Sequence, residues 1–277
     1  MSISIPFKID LTDRIVAITG GAGVLMSHFA KVLAACGARV ALLDVNYDGA
    51  KKVADEIGEN AIAIETNALD KESLCRAKSE VEAKFGRVNY LINGAGGNNP
   101  RATTDNEVAS EDLPEGIKDF FALDESGIRF VFDLNILSAF LTTQVFASGM
   151  KDGDIILNIS SMNAFRPLTK IPAYSAAKAG ISNLTQWLAV HFAPVGIRVN
   201  AIAPGFFITN QNRSLLFKDG EPTARSHKIL THTPMNRFGE EQDLTGTLLW
   251  LSDNSSSGFV TGVVVPVDGG FAAYSGV

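Results

Sequence analysis

Tyr174 and Lys178 stand four residues apart in Tyr174-Ser175-Ala176-Ala177-Lys178, and Ser161 lies thirteen residues before the tyrosine. On a helix that spacing sets both side chains on one face, one turn apart. An ammonium nearby favours an ionised phenol, so Tyr174 is expected to titrate below its ordinary value of about 10. Such a group gives or takes a proton near neutral pH, which carbonyl reduction and alcohol oxidation both require. Tyr-x-x-x-Lys alone is a common pattern and equally describes a surface helix. The elements that would have to position it decide between these readings.

Residues 14–19 form a short apolar run rich in β-branched side chains, the mark of a buried strand. Gly20-Gly21-Ala22-Gly23 follows, and then Val24, Leu25, Phe29, Val32, Leu33 and Cys36 recur at helical spacing. Strand, glycine turn and helix make a dinucleotide phosphate site, because glycines admit a pyrophosphate and the helix N-terminus offers free N–H groups. An ordinary tight turn between strand and helix is the alternative. Residues 38–43 read as a second strand ending on Asp44, about twenty residues beyond the glycines, where the dinucleotide fingerprint expects an acid. An acid there hydrogen-bonds ribose hydroxyls and repels a 2′-phosphate, which favours NAD(H) over NADP. No Lys or Arg follows until Lys51. Asp44 could instead cap the next helix.

With these segments in place, the chain resembles the short-chain dehydrogenase/reductase family over nearly all its length. Asn93-Gly94-Ala95-Gly96, after the apolar run 88–92, is similar to the family's Asn-x-Ala-Gly signature beside the adenosine. Asn135 matches the helix asparagine of the family's catalytic tetrad, and Ser161, Tyr174 and Lys178 match its other members. Pro204-Gly205, with Thr209 after it, matches the loop along the nicotinamide. The resemblance implies NADH-linked carbonyl reduction, or its reverse, with Tyr174 as proton donor and Ser161 holding the substrate oxygen. It further implies that Lys178 grips the nicotinamide ribose and that Asn135 holds a relay water. Taken singly, Ser161 could be turn chemistry after a strand, and Asn135 a helix kink.

Two departures stand out. The family's Thr-Gly-x-x-x-Gly-x-Gly appears as Thr19-Gly20-Gly21-Ala22-Gly23-Val24-Leu25-Met26, so Val24 and Met26 replace its last two glycines. The final glycine permits close helix–strand packing, so Met26 is expected to crowd the helix start or weaken cofactor affinity. Asn67-Ala68 stands where the family often has Asp-Val near the adenine, a change of slight expected effect.

Further apolar runs at 61–64, 155–159, 197–203 and 263–267 alternate with helical patterns. The alternation implies a single-domain, Rossmann-type doubly wound α/β fold over 1–277, with about seven mostly parallel strands and helices on both faces. The 277 residues are 46% hydrophobic and 19% charged, which supplies a core and excludes a disordered chain. A net charge of −6 without a basic cluster argues against nucleic acid. No secretory signal and no uninterrupted apolar stretch of membrane-spanning length is seen, so a cytoplasmic protein without a membrane partner is expected. Cys36 and Cys75 are read as reduced structural thiols. His28, His191, His227 and His232 form no metal-ligand pattern, so no metal is expected.

Two polar, irregular segments, 97–127 and 206–237, follow strands and are expected to cover the substrate. Arg101, Arg166 and Arg213 lie on segments bordering the pocket and could pair with a carboxylate. Asn98, Asn163 and Gln211, with Asn99 and Asn212, could serve hydroxyls, which points to a polyhydroxy carboxylic acid; solvated surface arginines are the alternative. The stretches 98–104, 204–213 and 268–277 resemble the family's sugar-acid subgroup, the D-mannonate oxidoreductases or fructuronate reductases, which implies exchange of D-fructuronate and D-mannonate. A 3-oxoacyl thioester reductase is a second reading, opposed by Asp44. A catalytically inactive dinucleotide-binding regulatory or scaffold protein is a third, opposed by the complete Asn135, Ser161, Tyr174 and Lys178 set. The helix spanning 176–192 is apolar around much of its circumference, and relatives pair subunits there, which implies a homotetramer or homodimer.

Overall fold

Seven short runs of apolar residues line up in one sheet: β1 (Ile15–Thr19), β2 (Arg39–Asp44), β3 (Ala61–Glu65), β4 (Tyr90–Asn93), β5 (Ile155–Ile159), β6 (Arg198–Pro204) and β7 (Val264–Val267). These belong to the computed structural model, which describes residues 9–209 and 213–276. The strand order is β3-β2-β1-β4-β5-β6-β7, and every neighbouring pair is parallel. Every residue of β1, β4, β5 and β6 is buried, as central strands of a sheet covered on both faces must be. The fold is thus the single doubly wound α/β domain that the alternation implies. Sequence order reverses between β1 and β4, which opens a crevice at their carboxyl ends.

Alternation along the strands divides the core. Val16 and Ile18 of β1 face a layer with Val40, Leu42, Phe29, Leu33, Leu248 and Leu251. Ala17 faces the other layer with Leu43, Leu74, Val81, Phe146, Ile181 and Leu188. Each large side chain so enclosed contributes about 1.5–3 kcal/mol of transfer free energy. The first layer is supplied by α1 (Val24–Ala35), α2 (Tyr47–Ile57) and the helix Thr245–Ser252. The second comes from α3 (Lys71–Phe85), α5 (Ser138–Ala147) and α6 (Pro172–Phe192). α5 continues α4 (Glu125–Phe132) through a π-helical turn, Asp133–Leu137.

That rod, Glu125–Ala147, is by length and average hydropathy apolar enough to span a membrane, although it contains no uninterrupted apolar run of that length. Asp133, Asn135, Ser138, Thr142 and Thr143 interrupt the run in sequence, and all but Asp133 are buried in the rod's packed face. Half of its most apolar window is buried inside the fold, as in a core helix.

The irregular segments behave differently from each other. Segment 97–127 forms two 3-10 turns, Pro100–Ala102 and Phe120–Ala122, and passes into α4 at Glu125. Segment 206–237 contains a hairpin pairing Phe217–Lys218 with Glu221–Pro222, then a helix, Ala224–Thr231. The hairpin turns on Asp219-Gly220, both with positive φ (53° and 86°). Asp-Gly is a recognised signal for such a turn, but two-residue strands leave no alternation to support it.

Candidate active site

The crevice begins with the end of β1. Gly20 adopts φ 71°, a left-handed conformation, and a Cβ there would stand 3.0 Å from the Gly94 carbonyl oxygen. The loop carries Gly21 and Ala22 to Gly23, which precedes α1 in extended conformation without any side-chain cap. No acidic residue occupies the first turn, so the N–H groups at Val24, Leu25 and Met26 begin α1 unopposed by a protein anion. An uncapped helix start behind a left-handed glycine fits a pyrophosphate.

Asp44 ends β2 and is half-buried, its Oδ2 accepting from Ala22 N at 3.0 Å and Oδ1 from Asn46 N at 2.8 Å. Asn46 caps α2 through Gly49 N, so capping is not the role of Asp44. Its carboxylate instead ties the glycine loop to the start of α2, leaving lone pairs on both oxygens for ribose hydroxyls. After β3, Asn67 is exposed with its Oδ1 accepting from Leu69 N, and Ala68 is buried. At the end of β4, Thr19 Oγ1 accepts from Gly94 N and Ala95 N at 3.1 and 3.2 Å. Asn93 points into the core, donating to Thr143 and Asn158.

Met26 does not crowd the helix start. It is buried against Gly94, where a Cβ would fall 2.2 Å from Met26 Sδ and 2.6 Å from the Thr19 carbonyl oxygen. The glycine of the helix and the variable position of Asn-x-Ala-Gly have in effect exchanged: bulk on α1 is accommodated by missing bulk after β4. Gly205 serves similarly, because a Cβ there would press on Asp268 at 2.6 Å between the ends of β6 and β7. Pro204 is buried, Gly205 N donates to Val267 O, and Thr209 is half-buried beyond them.

The π turn brings Asn135 into the crevice. A π turn shifts backbone bonding by one residue and frees a carbonyl. Asn135 Nδ2 donates to Val131 O and to Gly97 O, each at 2.7 Å, while Oδ1 accepts from Gly97 N at 3.2 Å. The kink and the inward-facing amide are one feature. A Cβ at Gly96 would stand 2.7 Å from Asn135 Oδ1 and 3.1 Å from Lys178 Nζ, so only glycine lets the loop pass these two groups.

Pro172 opens α6, which sets Tyr174 and Lys178 one turn apart on the face toward β5. Lys178 is buried, Nζ donating to the Ile159 carbonyl at 2.8 Å and standing 5.6 Å from the Tyr174 ring centroid. Burial pushes the ammonium down to about 8. Tyr174 hydrogen-bonds the Ser161 side chain, and Ser161 Oγ accepts from Asn163 N at 3.3 Å. Ser161 therefore also caps the 3-10 turn Met162–Ala164. The expected lowering of the Tyr174 titration is reversed: burial raises it, with the Ser161 hydrogen bond opposing in part. Spacing supplied the neighbour but not the desolvation, and the ammonium spends its hydrogen bond on Ile159. In this state Tyr174 is a protonated phenol, a donor rather than an acceptor.

Of the residues expected around the substrate, Asn163 is brought beside Ser161, buried, with its Oδ1 lacking a hydrogen-bond partner. Asn98 is exposed and donates to Thr103 Oγ1. Arg101, Arg166 and Arg213 are exposed, and Arg166 Nε donates to the Ala272 carbonyl. Gln211 and Asn212 lie outside the described residues. Among the described residues, no three His, Cys, Asp or Glu side chains gather as metal ligands.

A dinucleotide cradle opening onto a largely buried Ser–Tyr–Lys set defines an oxidoreductase of alcohols and carbonyls. The chain belongs to the short-chain dehydrogenase/reductase family: a model of that family described as enoyl-(acyl carrier protein) reductase matches residues 25–272. It is 59% identical over 274 residues to an uncharacterized oxidoreductase of Haemophilus influenzae, covering 97% of this chain and 96% of the other. The uncharacterized oxidoreductase UxuB of Bacillus subtilis is 53% identical over 279 residues, covering 99% and 100%. A crystal structure with bound NAD, from a Haemophilus influenza protein provisionally named a D-mannonate oxidoreductase, superposes with a TM-score of 0.93. It is 58% identical and covers 97% of this chain and 98% of its own.

Proposed function

We propose that the protein is an NAD(H)-dependent oxidoreductase interconverting D-fructuronate and D-mannonate. The reaction class rests on one observation above others, the Ser161–Tyr174–Lys178 set gathered in the crevice, with Ser161 and Lys178 buried and Tyr174 half-buried. Asp44 at the end of β2 favours NAD over NADP, in keeping with the NAD-bound relative. The sugar-acid reading is supported by the name of that relative and by the unpartnered Asn163 Oδ1, an acceptor suited to a substrate hydroxyl.

The nicotinamide supplies the hydride to the carbonyl carbon, or receives it in the reverse direction. Ser161 donates to the substrate oxygen and holds it within reach of Tyr174. The Tyr174 hydroxyl delivers its proton as negative charge builds on that oxygen, and its raised titration keeps the proton available for reduction. Lys178 restores the proton and steadies the ribose, while Asn135, tied to Gly97 and neighbouring Lys178 across Gly96, positions the relay. Segments 97–127 and 206–237 cover the substrate.

Subunits pair, as a homotetramer or homodimer, through the apolar side chains left open on α4, α5 and α6. Phe130, Phe140, Trp187 (58% exposed) and Val190 (77% exposed) are among them. A cytoplasmic enzyme fits this reading.

NADH oxidation by the purified protein with D-fructuronate, 5-keto-gluconate and a 3-oxoacyl thioester, beside Tyr174→Phe, tests the reading. The expected result is turnover of D-fructuronate that falls by about a thousandfold in the variant while NADH binding persists. Turnover confined to the thioester, or no turnover of any hexuronic keto acid, overturns it.

A further inference from the structure

The sequence offers three arginines as receivers of a substrate carboxylate, yet the structure gathers cations elsewhere. Lys228 of the helix Ala224–Thr231 makes an ion pair with Glu107 of segment 97–127. Lys170 and Arg225 act on the same Glu107 carboxylate, favouring its ionised form. Three positive charges from two separate stretches of chain therefore converge on one negative charge. The excess arises in a chain that carries 24 basic and 30 acidic residues, so overall composition does not produce it.

Lys170 is the most informative member. Its backbone takes φ 73°, a left-handed conformation that residues with a Cβ adopt only at a cost. The Lys170 carbonyl accepts from Thr104 N at 2.9 Å, so segment 97–127 pins this backbone. Pro172 opens α6 two residues later, and Tyr174 follows within its first turn. The strained residue thus stands just before the helix that carries the proton donor, four residues ahead of Tyr174 in the chain. Both irregular segments meet at this rim through Glu107 and Lys228.

We propose that Lys170, Arg225 and Lys228 receive the carboxylate of the substrate, with Glu107 as the internal counter-charge that it displaces. The inference rests on the acid substrate proposed above and adds which residues recognise its charge. In D-fructuronate the carboxylate stands at the far end of the chain from the reducible carbonyl. When Ser161 and Tyr174 hold the carbonyl oxygen, the anion must be met at a distance, out toward the rim. The exposed Arg225 and Lys228 and the half-buried Lys170 act there through long-range attraction, raising the capture rate of an anion and losing this advantage in salt.

The alternative is a clasp, in which Glu107 and Lys228 merely fasten the two segments together. The two roles differ in sign. Loss of either partner would open a clasp, so Glu107→Gln and Lys228→Gln would change kcat/KM in the same direction. As a charge receiver, the site loses an opposing charge in Glu107→Gln and an attracting one in Lys228→Gln, so the effects are opposite.

The experiment measures NADH-linked kcat/KM on D-fructuronate at about 20 and about 200 mM NaCl, which spans strong to weak screening. The proteins are wild type, Glu107→Gln, Lys228→Gln and the triple variant Lys170→Asn/Arg225→Gln/Lys228→Gln, since asparagine tolerates left-handed backbone. The triple variant is expected to lose about tenfold at low salt, mostly through KM, and to lose the salt dependence. Glu107→Gln is expected to gain about twofold, with NADH affinity unchanged in all. Equal KM and equal salt dependence in wild type and triple variant, or same-sign effects of the two single variants, overturn the proposal. Should D-fructuronate not turn over, the sugar-acid reading fails by itself, and calorimetric binding of D-mannonate to the NAD-loaded proteins decides the present one. Binding weakened in the triple variant supports it; equal binding, or none to wild type, overturns it.

Discussion

The half of the molecule around the glycine loop and the half made by segments 97–127 and 206–237 are built on different terms. The first joins buried strands through glycines whose missing side chains are matched to particular neighbours: Gly20 to Gly94, Gly94 to Met26, Gly96 to Asn135 and Lys178. The second is assembled from 3-10 turns, a two-residue hairpin and exposed ion pairs such as Lys228 with Glu107. Close packing punishes single atoms, whereas exposed charge acts weakly and over distance. One half is therefore specified atom by atom, and the other by its balance of charge and its reach.

Substitution at the tightest contact should break this contrast most visibly. Gly94→Ala places a methyl against Met26 Sδ and the Thr19 carbonyl, so a loss of about 1–3 kcal/mol is expected in urea unfolding, with weaker NADH binding. Adding Met26→Ala should rescue only part of it, because the Thr19 backbone remains in the way. Full rescue, or no loss at all, would show that the match is not specific. A smaller effect is expected from Asp44→Asn. Its amide loses the charge facing the ribose while still accepting from Ala22 N, so the preference for NADH over NADPH should narrow about tenfold. An unchanged NADH/NADPH ratio of kcat/KM would remove Asp44 from cofactor selection.

The pH dependence sharpens the comparison where the halves meet. Burial lowers Lys178 to about 8, so the ammonium is present below that pH and lost above it. Carbonyl-reduction kcat/KM, which reports the free enzyme, should hold steady below about pH 8 and decline above it. The same shift has a stability consequence. Between about 8 and the model-compound value of 10.5, the unfolded chain binds more protons at this lysine than the folded one. Its contribution to stability therefore rises with pH through that window, opposite in direction to the activity. Activity that increased between pH 8 and 9 would exclude Lys178 as the limiting group. The smallest effect belongs to the covering half: Phe121→Ser, at a ring 89% exposed, should leave unfolding free energy within about 0.5 kcal/mol of wild type. A larger loss would mean that segment 97–127 is packed more like the cradle.

How far each half could be read from sequence follows the same division. A strand buried on both faces reads as a nearly continuous apolar run, so β5 coincides with its run at 155–159 and the other strands lie within two residues of theirs. Tyr174 and Lys178 share a helix face because four residues make one turn, and α6 places them so. Pairwise facts were not legible. Met26 and Gly94 are separated by three strands in sequence, and nothing in either residue announces the other. The direction of the Tyr174 shift depends on desolvation, which spacing does not carry. Lys170, Arg225 and Lys228 converge only because a left-handed lysine and a distant helix are brought to one rim. The three arginines drew attention because their side chains suit carboxylates, but Arg166 is engaged with the Ala272 carbonyl.

The bare beginning of α1 reaches beyond catalysis. A helix that starts on Gly23 without a capping side chain lacks a stabilising contact that most helices draw from their own sequence. A pyrophosphate seated there would fill that place, so a nucleotide bound in this way would complete the fold as well as the reaction. Each tenfold excess of free NAD over its dissociation constant then adds about 1.4 kcal/mol to the stability of the folded state. Heat tolerance of the protein becomes a property shared with its surroundings, rising when nucleotide is abundant and falling when it is scarce.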